Sequence, residues 1–163
     1  MTTSTRLRPP RNLVSPRARW HWTVRAVPGW IAVLAAEVIW ATAADHRTPA
    51  VIALVVTVIV AAAHLVVMPL WRFRVHRWEA TTEAVYTQAG WLHQERRIAP
   101  VSRIQTVDTA RGVLQQLFGL ATVTVTTASA AGPLKINGLD QDVARDLVDE
   151  LTATTQAHQG DAT

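Results

Sequence analysis

Residues 50–70 read AVIALVVTVIVAAAHLVVMPL, a run of 21 residues without a formal charge. A helix needs about 20 predominantly apolar residues to cross the hydrocarbon core of a bilayer, which is roughly 30 Å thick. A helix that is apolar on every face has no polar side to present to water, so it does not suit the surface of a small domain. The run therefore predicts a transmembrane helix and places the chain among membrane proteins.

A second apolar segment, residues 28–44, precedes this helix. It is shorter and contains Glu37, but only Asp45 to Pro49 connect the two segments, which favours an antiparallel hairpin. Ala41-Thr42-Ala43 resembles a signal-peptide cleavage site, yet the leader is long and a stronger apolar helix follows directly, so we expect the hairpin to be retained. Tryptophans near the segment ends are typical of a membrane interface: Trp20, Trp22, Trp30, Trp71 and Trp78.

The positive charge lies at one end of the chain. The net charge is +4, and charged residues make up only 17% of the sequence. Residues 1–27 carry +6, all from arginine, whereas residues 28–71 and 72–163 each carry −1. A nucleic-acid-binding domain holds its positive charge on the folded surface, so we do not expect nucleic acid as a partner. The lipid bilayer is an expected partner of the chain.

Arginines also indicate the orientation of the hairpin. Six of them precede the first helix, and Arg72, Arg74 and Arg77 follow the second, whereas the connecting loop has only Arg47. The positive-inside rule then predicts a multi-pass protein of the plasma (inner) membrane with both termini in the cytoplasm. Arg72, Arg74 and Arg77 are candidate contacts for anionic lipid headgroups as well as determinants of topology. The absence of cysteine fits a reducing compartment.

From Arg72 onward, the pattern changes to short segments with alternating polarity, as Phe73, Val75 and Trp78 illustrate. Residues 121–127 alternate Ala or Val with Thr, which predicts a half-buried strand. Other β-rich segments are bounded by Gly and Pro turns, as in antiparallel hairpins: Ala84–Thr87, Trp91–Glu95, Val101–Thr109 and Leu134–Ile136. Between strands, Leu114 to Phe118 has helical spacing, and Gly119 suits a left-handed position after it.

A helix is expected to close the domain. Asp140 can cap its start, and Val143, Leu147 and Leu151 recur every four residues as an apolar stripe. Met1–Arg19 is expected to be disordered, and the polar end after the stripe is expected to fray. The expected division is a basic cytoplasmic arm (1–27), a transmembrane hairpin (28–71), a cytoplasmic domain (72–154) and a flexible tail (155–163).

One part of this domain resembles a known family. Pro100-Val101-Ser102-Arg103-Ile104-Gln105-Thr106-Val107 is followed by Leu114 and then by Phe118-Gly119-Leu120-Ala121-Thr122-Val123. This pattern resembles the signature of bacterial pleckstrin-homology (PH) domains of the YdbS type, and the resemblance extends over about Trp20 to Thr154. Proteins of that type have a similar layout, with a basic N-terminus, two transmembrane helices and one cytoplasmic PH-like domain.

The resemblance implies an α+β membrane protein. Its N-terminal two-helix transmembrane hairpin would be followed by a PH-like antiparallel β barrel or sandwich, partly open, with a C-terminal helix. It also implies a partner, namely another membrane protein that carries several PH-like domains. Eukaryotic PH domains often bind phosphoinositides through a basic loop between the first two strands. The corresponding region here, Glu79 to Glu83, is acidic, which is unfavourable for that ligand.

No pattern in the sequence is typical of an active site or a metal centre. The chain has no cysteine, no His-Glu-x-x-His, no phosphate-binding glycine loop and no Gly-x-Ser-x-Gly. Its six histidines are scattered, and none forms an i, i+4 pair. We therefore expect a protein that is not an enzyme and that needs neither metal nor cofactor.

Glu37 is the residue with the sharpest functional implication, because an ionisable group near the centre of a membrane segment is costly. Three interpretations are open. Glu37 is protonated and hydrogen-bonded to the neighbouring helix near Thr57, or it pairs with His64, or it contacts a partner subunit. A membrane enzyme or transporter subunit that uses Glu37 is a more distant alternative.

The function that these features indicate is docking. PH-like domains leave strand edges exposed, and such edges pair readily with other chains. Arg103 and Gln105 are candidate partner contacts together with Glu37, although a solvent-facing strand with Ile104 packed inward is the preferred interpretation of the first two. The expected protein is a non-enzymatic, membrane-anchored module for docking or assembly with another membrane protein or with a second copy. Lipid-headgroup sensing is the alternative.

Overall fold

The structure, a computed structural model, describes residues 9–43, 47–90, 92–129 and 132–160. Its elements in chain order are β1 (Asn12–Leu13), α1 (Ala18–Ala43), α2 (Arg47–Val75), β2 (Arg77–Ala80), β3 (Ala84–Gly90), β4 (Gln94–Pro100), a 3₁₀ turn (Val101–Arg103), β5 (Ile104–Ala110), α3 (Val113–Leu117), β6 (Leu120–Thr127), β7 (Leu134–Asp140) and α4 (Gln141–Gly160). Asp45 and His46 of the predicted loop, and Trp91, lie outside the described residues; Arg47 to Pro49 already belong to α2, and Leu92 and His93 form a bend before β4.

The two long helices, α1 and α2, pack against each other, and both are long and apolar enough to cross a membrane. They contain 26 and 29 residues, which corresponds to about 40 Å each at a rise of 1.5 Å per residue. Their large apolar side chains are mostly exposed. Exposed apolar surface around a whole helix suits lipid rather than water. Both helices are longer than the hydrocarbon core of a bilayer requires.

The segment before Pro28 differs from the predicted disordered arm. Asn12 and Leu13 form β1, which pairs antiparallel with Trp78 and Arg77 at the start of β2. The helix α1 then begins at Ala18, ten residues earlier than the predicted apolar segment. Local sequence could not reveal this order, because the groups that bind residues 12–18 come from strands much later in the chain.

The β domain consists of two antiparallel sheets that do not form a closed barrel. One sheet has the strand order β1-β2-β3-β4, and the other has the order β5-β6-β7. Val85, Val101, Val123 and Val125 are fully buried in the core between them. The predicted α+β, PH-like architecture is therefore confirmed as an open sandwich. The alternation predicted from Phe73 and Val75 is wrong, since α2 continues through Val75 and the first strand after it begins at Arg77.

The closing helix α4 packs on the second sheet through Ala144, Leu147 and Leu151, which are buried. Val143, which the sequence placed in this stripe, is 39% exposed. The buried side starts one residue later because spacings of three and four residues follow the helical period of 3.6 better than repeated fours. The helix also continues to Gly160, past the point where fraying was predicted.

Candidate functional site

A hydrophobic cluster joins the helical hairpin to the β domain, and we call it the junction. Val14, Ala18, Trp22 and Leu120 are buried in it, and Phe73, Trp78 and Phe118 pack around them. Ala18 and Trp22 belong to α1, so this helix begins inside the domain rather than after a linker. The hairpin and the domain are therefore held in one fixed arrangement by packed apolar side chains.

A glycine in β7 permits the close approach of α1. Gly138 has a positive φ of +81°, and a Cβ atom added there would lie 2.9 Å from the Cβ of Ala18. Both the backbone conformation and the contact disfavour any residue with a side chain. Gly138 thus sets the distance between the first turn of α1 and the second sheet.

We expect Gly138→Ala to lower the free energy of unfolding by about 1–3 kcal/mol through backbone strain, with the contact to Ala18 adding to this loss. Denaturant unfolding of the full chain in detergent measures the effect. Gly132→Ala is the matched control for strain alone, because Gly132 has φ +76° and nothing within 4 Å of the added Cβ. An equal loss in both variants would show that the approach of α1 to Gly138 contributes nothing.

At the edge of the junction, the side chains of Arg72 and His76 stack on Trp22, and we call these three residues the polar stack. The guanidinium carbon of Arg72 lies 4.5 Å from the centroid of the Trp22 ring, and the rings of Trp22 and His76 are 5.1 Å apart. Arg72 Nε donates a hydrogen bond to His76 Nε2 at 3.4 Å, and His76 Nδ1 lies 2.9 Å from the Arg72 carbonyl oxygen. Arginine only donates and a carbonyl only accepts. His76 is therefore neutral, with its proton on Nδ1.

The electrostatics of the stack agree with this tautomer. The pKa of His76 is lowered from 6.5 to about 4, mainly by burial and in part by the nearby positive charge of the Arg72 guanidinium. The hydrogen bond to the Arg72 backbone acts in the opposite direction and raises this pKa. A proton on Nε2 would remove the acceptor for Arg72 and place two positive charges side by side. The stack is consequently built for the neutral form of the ring.

A polar contact also fastens the chain just before α1 to the end of β7. Ser15 Oγ donates to the Asp140 carboxylate at 2.8 Å, and the Ser15 amide donates to the Gly138 carbonyl at 2.9 Å. Arg17 Nη1 lies 3.7 Å from the same carboxylate oxygen. The sequence indicated Asp140 only as a helix cap, so it gave no signal for this contact.

Two side-chain hydrogen bonds join α1 to α2 within the apolar segments. Thr57 Oγ1 donates to Glu37 Oε1 at 2.6 Å, and Trp30 Nε1 donates to His64 Nδ1 at 3.0 Å. Glu37 is thus hydrogen-bonded to the neighbouring helix at Thr57, where one of the three interpretations placed the contact. The second carboxyl oxygen, Oε2, is buried and has no hydrogen-bond partner among the described residues.

The residues predicted to form sites lie in three separate places. Arg72 belongs to the junction, while Arg74 is exposed at the end of α2 and Arg77 begins β2. Glu37 lies within the hairpin. Arg103, the last residue of the 3₁₀ turn, and Gln105, in β5, are exposed, and Ile104 is buried between them. The structure does not bring the three places together, and the headgroup and partner roles stay predictions.

The strand β5 is an open edge of the three-stranded sheet, because it pairs with β6 alone. Its pairing register shifts at Gln105, which marks a β-bulge, and is regular from Thr106 to Ala110. Most of its side chains are exposed. The outer backbone N–H and C=O groups of such an edge are a template for another strand. Among the residues that the structure describes, no group of three or more His, Cys, Asp or Glu residues could hold a metal ion.

Sequence reasoning assigned two tryptophans of the junction to the wrong environment. Trp22 and Trp78 were interpreted as membrane-interface residues, but Trp22 is buried and Trp78 is half-buried against both hydrophobic clusters. An aromatic ring near a helix end suits both a membrane interface and a protein core, and the sequence alone does not distinguish the two environments. The i, i+4 spacing of Arg72 and His76 at the end of a helix was the one signal for the polar stack.

Two apolar helices fastened directly to an open sandwich with a closing helix define a membrane-anchored PH-like protein. The bacterial PH domain family matches residues 27–155, and the chain belongs to this family. The chain is similar to the UPF0699 transmembrane protein YdbS of Bacillus subtilis (strain 168), with 31% identity over 90 residues. The alignment covers 55% of this chain and 57% of that relative. No solved structure matches the chain. These findings and the two apolar helices make it a membrane protein.

Proposed function

We propose that this protein is a non-enzymatic docking module anchored at the inner face of the plasma membrane. The hairpin crosses the bilayer twice, and both termini lie in the cytoplasm. The arginines that flank the hairpin on the domain side support this orientation. The observation that carries the proposal is the open edge of β5 on a domain that the junction holds rigidly against the hairpin.

The partner is another membrane protein that carries several PH-like domains. An extended segment of the partner adds to the outer side of β5, where main-chain hydrogen bonds supply affinity and neighbouring side chains supply selectivity. Arg103, just before β5, and Gln105, at the bulge, lie at one end of this edge and contact the partner there. Glu37, which is half-buried in the hairpin, contacts a partner helix within the bilayer, as polar residues do in helix association.

Copurification tests this function. We expect the full-length chain, extracted from its native membranes in mild detergent, to retain a stoichiometric partner with several PH-like domains. Arg103→Glu reverses the charge beside the edge strand and should reduce recovery about tenfold, which corresponds to about 1.4 kcal/mol of binding free energy.

Lys135→Glu is the matched control for this charge reversal. Lys135 is also an exposed cation in a strand of the same sheet, but it belongs to β7 at the opposite edge. We expect this variant to copurify with the partner as well as the native chain does. A clean monomer in mild detergent, or equal losses in the two variants, would contradict docking through β5.

Lipid-headgroup sensing is the second candidate function. The exposed Arg74 and the neighbouring Arg77 favour it, since they follow the apolar part of α2 directly. The segment Glu79 to Glu83, at the end of β2 and in the turn after it, does not favour it because it is acidic. Within this segment, Glu79 forms a salt bridge with Arg11 at 3.5 Å.

A further inference from the structure

The most exposed large apolar side chains outside the two long helices are Leu92, Val113 and Leu117. Their exposed fractions are 83%, 85% and 78% in the part of the chain that the structure describes. Isolated apolar residues are common on protein surfaces, so exposure alone carries no meaning. The position of these three residues relative to the hairpin is what gives their exposure a meaning.

Val113 and Leu117 lie on α3, beside the first turns of α1. The ring of Phe118, which follows α3, makes an edge contact with the ring of His21, and the ring centroids are 6.3 Å apart. One cleft is lined by His21 and Arg25 from α1 together with Val113 from α3. The short helix α3 therefore sits against the part of α1 that leads into the apolar segment.

Leu92 lies in the turn between β3 and β4, at the same end of the domain. Arg77, which comes two residues after the end of α2, pairs with Gln88 in β3. The strand then runs on to Gly90, and β3 contacts α2. The turn that holds Leu92 thus projects past the start of β2 on the side from which α2 arrives.

The depth of this end follows from helix geometry. The apolar segment of α1 begins at Pro28, and His21 and Arg25 precede it by about 10 and 5 Å at a rise of 1.5 Å per residue. The headgroup layer on each side of the hydrocarbon core is about 5–8 Å thick. Arg25, which lines the cleft beside α3, therefore lies at the level of the lipid headgroups when the hairpin spans the bilayer, and His21 lies just outside that layer on the domain side.

Positive charge at the domain-side end of the hairpin favours an anionic lipid surface over a protein surface. The guanidinium of Arg19 lies over the Phe73 ring, that of Arg72 lies over the Trp22 ring, and Arg25 lines the cleft beside α3. Among the described residues, none of these three arginines has a carboxylate within salt-bridge distance. Apolar tips beside unneutralised cations are the pattern that anionic interfaces attract.

We propose that Leu92, Val113 and Leu117 insert into the headgroup layer of the membrane and so hold the β domain at one orientation on the bilayer. The inference rests on the proposed function for one premise, that the hairpin spans the membrane. The occupant of this apolar surface is lipid. The domain then has three contacts with the bilayer: the hairpin, α3 and the β3–β4 turn.

The chain has no native cysteine, so single cysteines can be labelled without altering its background. The variants Leu92→Cys, Val113→Cys and Leu117→Cys are made in the full chain, labelled with an environment-sensitive fluorophore and reconstituted in vesicles of phosphatidylglycerol and phosphatidylcholine. Lipids with a nitroxide near the headgroup should quench all three labels several-fold more than a label at Ile98→Cys. Ile98 is also an exposed apolar residue (45%), but it lies in β4 near the opposite end of the sandwich.

A label at Ile59→Cys, in the middle of the apolar run, separates the premise from the inference. Deep nitroxides should quench it. If deep nitroxides quench the Ile59 label, but headgroup nitroxides quench the labels at positions 92, 113 and 117 no more than the label at position 98, the proposed insertion is wrong and the premise of a spanning hairpin is retained. If the Ile59 label is not quenched, both are wrong. The copurification experiment is independent of either result, so a failure of docking is recognised separately.

Discussion

Replacing Trp22 by alanine is expected to lower the free energy of unfolding by about 3–5 kcal/mol, the range for truncating a large buried aromatic residue. Trp22 is 4% exposed and packs with Val14, Ala18 and Leu120 in the junction. Its removal leaves a cavity and also takes the aromatic face from the Arg72 guanidinium. Denaturant unfolding in detergent, followed by circular dichroism rather than tryptophan fluorescence, measures the change.

Trp20→Ala is the matched control, since Trp20 lies two residues away on the same helix and is 63% exposed. We expect its effect on stability to stay within about 0.5 kcal/mol. Similar losses for the two variants would mean that the junction does not carry the stability that its packing indicates.

Acidification should destabilise the protein through His76. Its pKa is about 4 in the folded state and 6.5 for a solvent-exposed histidine of the unfolded chain, so the unfolded chain binds the proton more tightly. The contribution is therefore fully present above pH 6.5 and is lost as the pH falls towards 4. The difference of about 2.5 pH units corresponds to about 3 kcal/mol.

The measurement compares unfolding free energies at pH 7 and pH 4.5 for the native chain and for His76→Gln, which does not titrate. We expect the variant to lose less stability on acidification than the native chain. The control His93→Gln removes an exposed histidine of the β3–β4 turn and should leave the pH dependence unchanged. The same pH dependence in all three proteins would show that the neutral state of His76 does not stabilise the fold.

Much of the fold was predictable where a physical dimension constrains the sequence. The length of the apolar run around Val60 matches the bilayer, and the alternation of Val123 and Val125 with threonines matches the two faces of a sheet. The contact between Glu37 and Thr57 was also predictable, because an antiparallel hairpin with a short loop places the two residues at about the same level. These inferences need only the periodicity of side chains along a segment and the lengths of the segments and of the loop between them.

Other features depend on contacts between residues far apart in the chain. Phe73 and Val75 alternate like strand residues, but both belong to α2, where Phe73 packs at the junction. Asn12 becomes a strand only because the edge of β2 is available to pair with it. The polar stack joins His76, which follows α2, to Trp22 of α1. Patterns along the sequence show these residues separately but do not show that they are in contact.

The contact between Ser15 and Asp140 has a consequence for the order of biosynthesis. The hairpin leaves the ribosome before any strand of the domain beyond β1, whereas Asp140 belongs to the last strand. Because domains complete their folding only when all their elements have emerged, the first residues of α1 stay without their final partners until β7 has been made. For a hairpin that spans the membrane, as proposed, insertion precedes the folding of the domain, and residues made early are among the last to reach their native contacts.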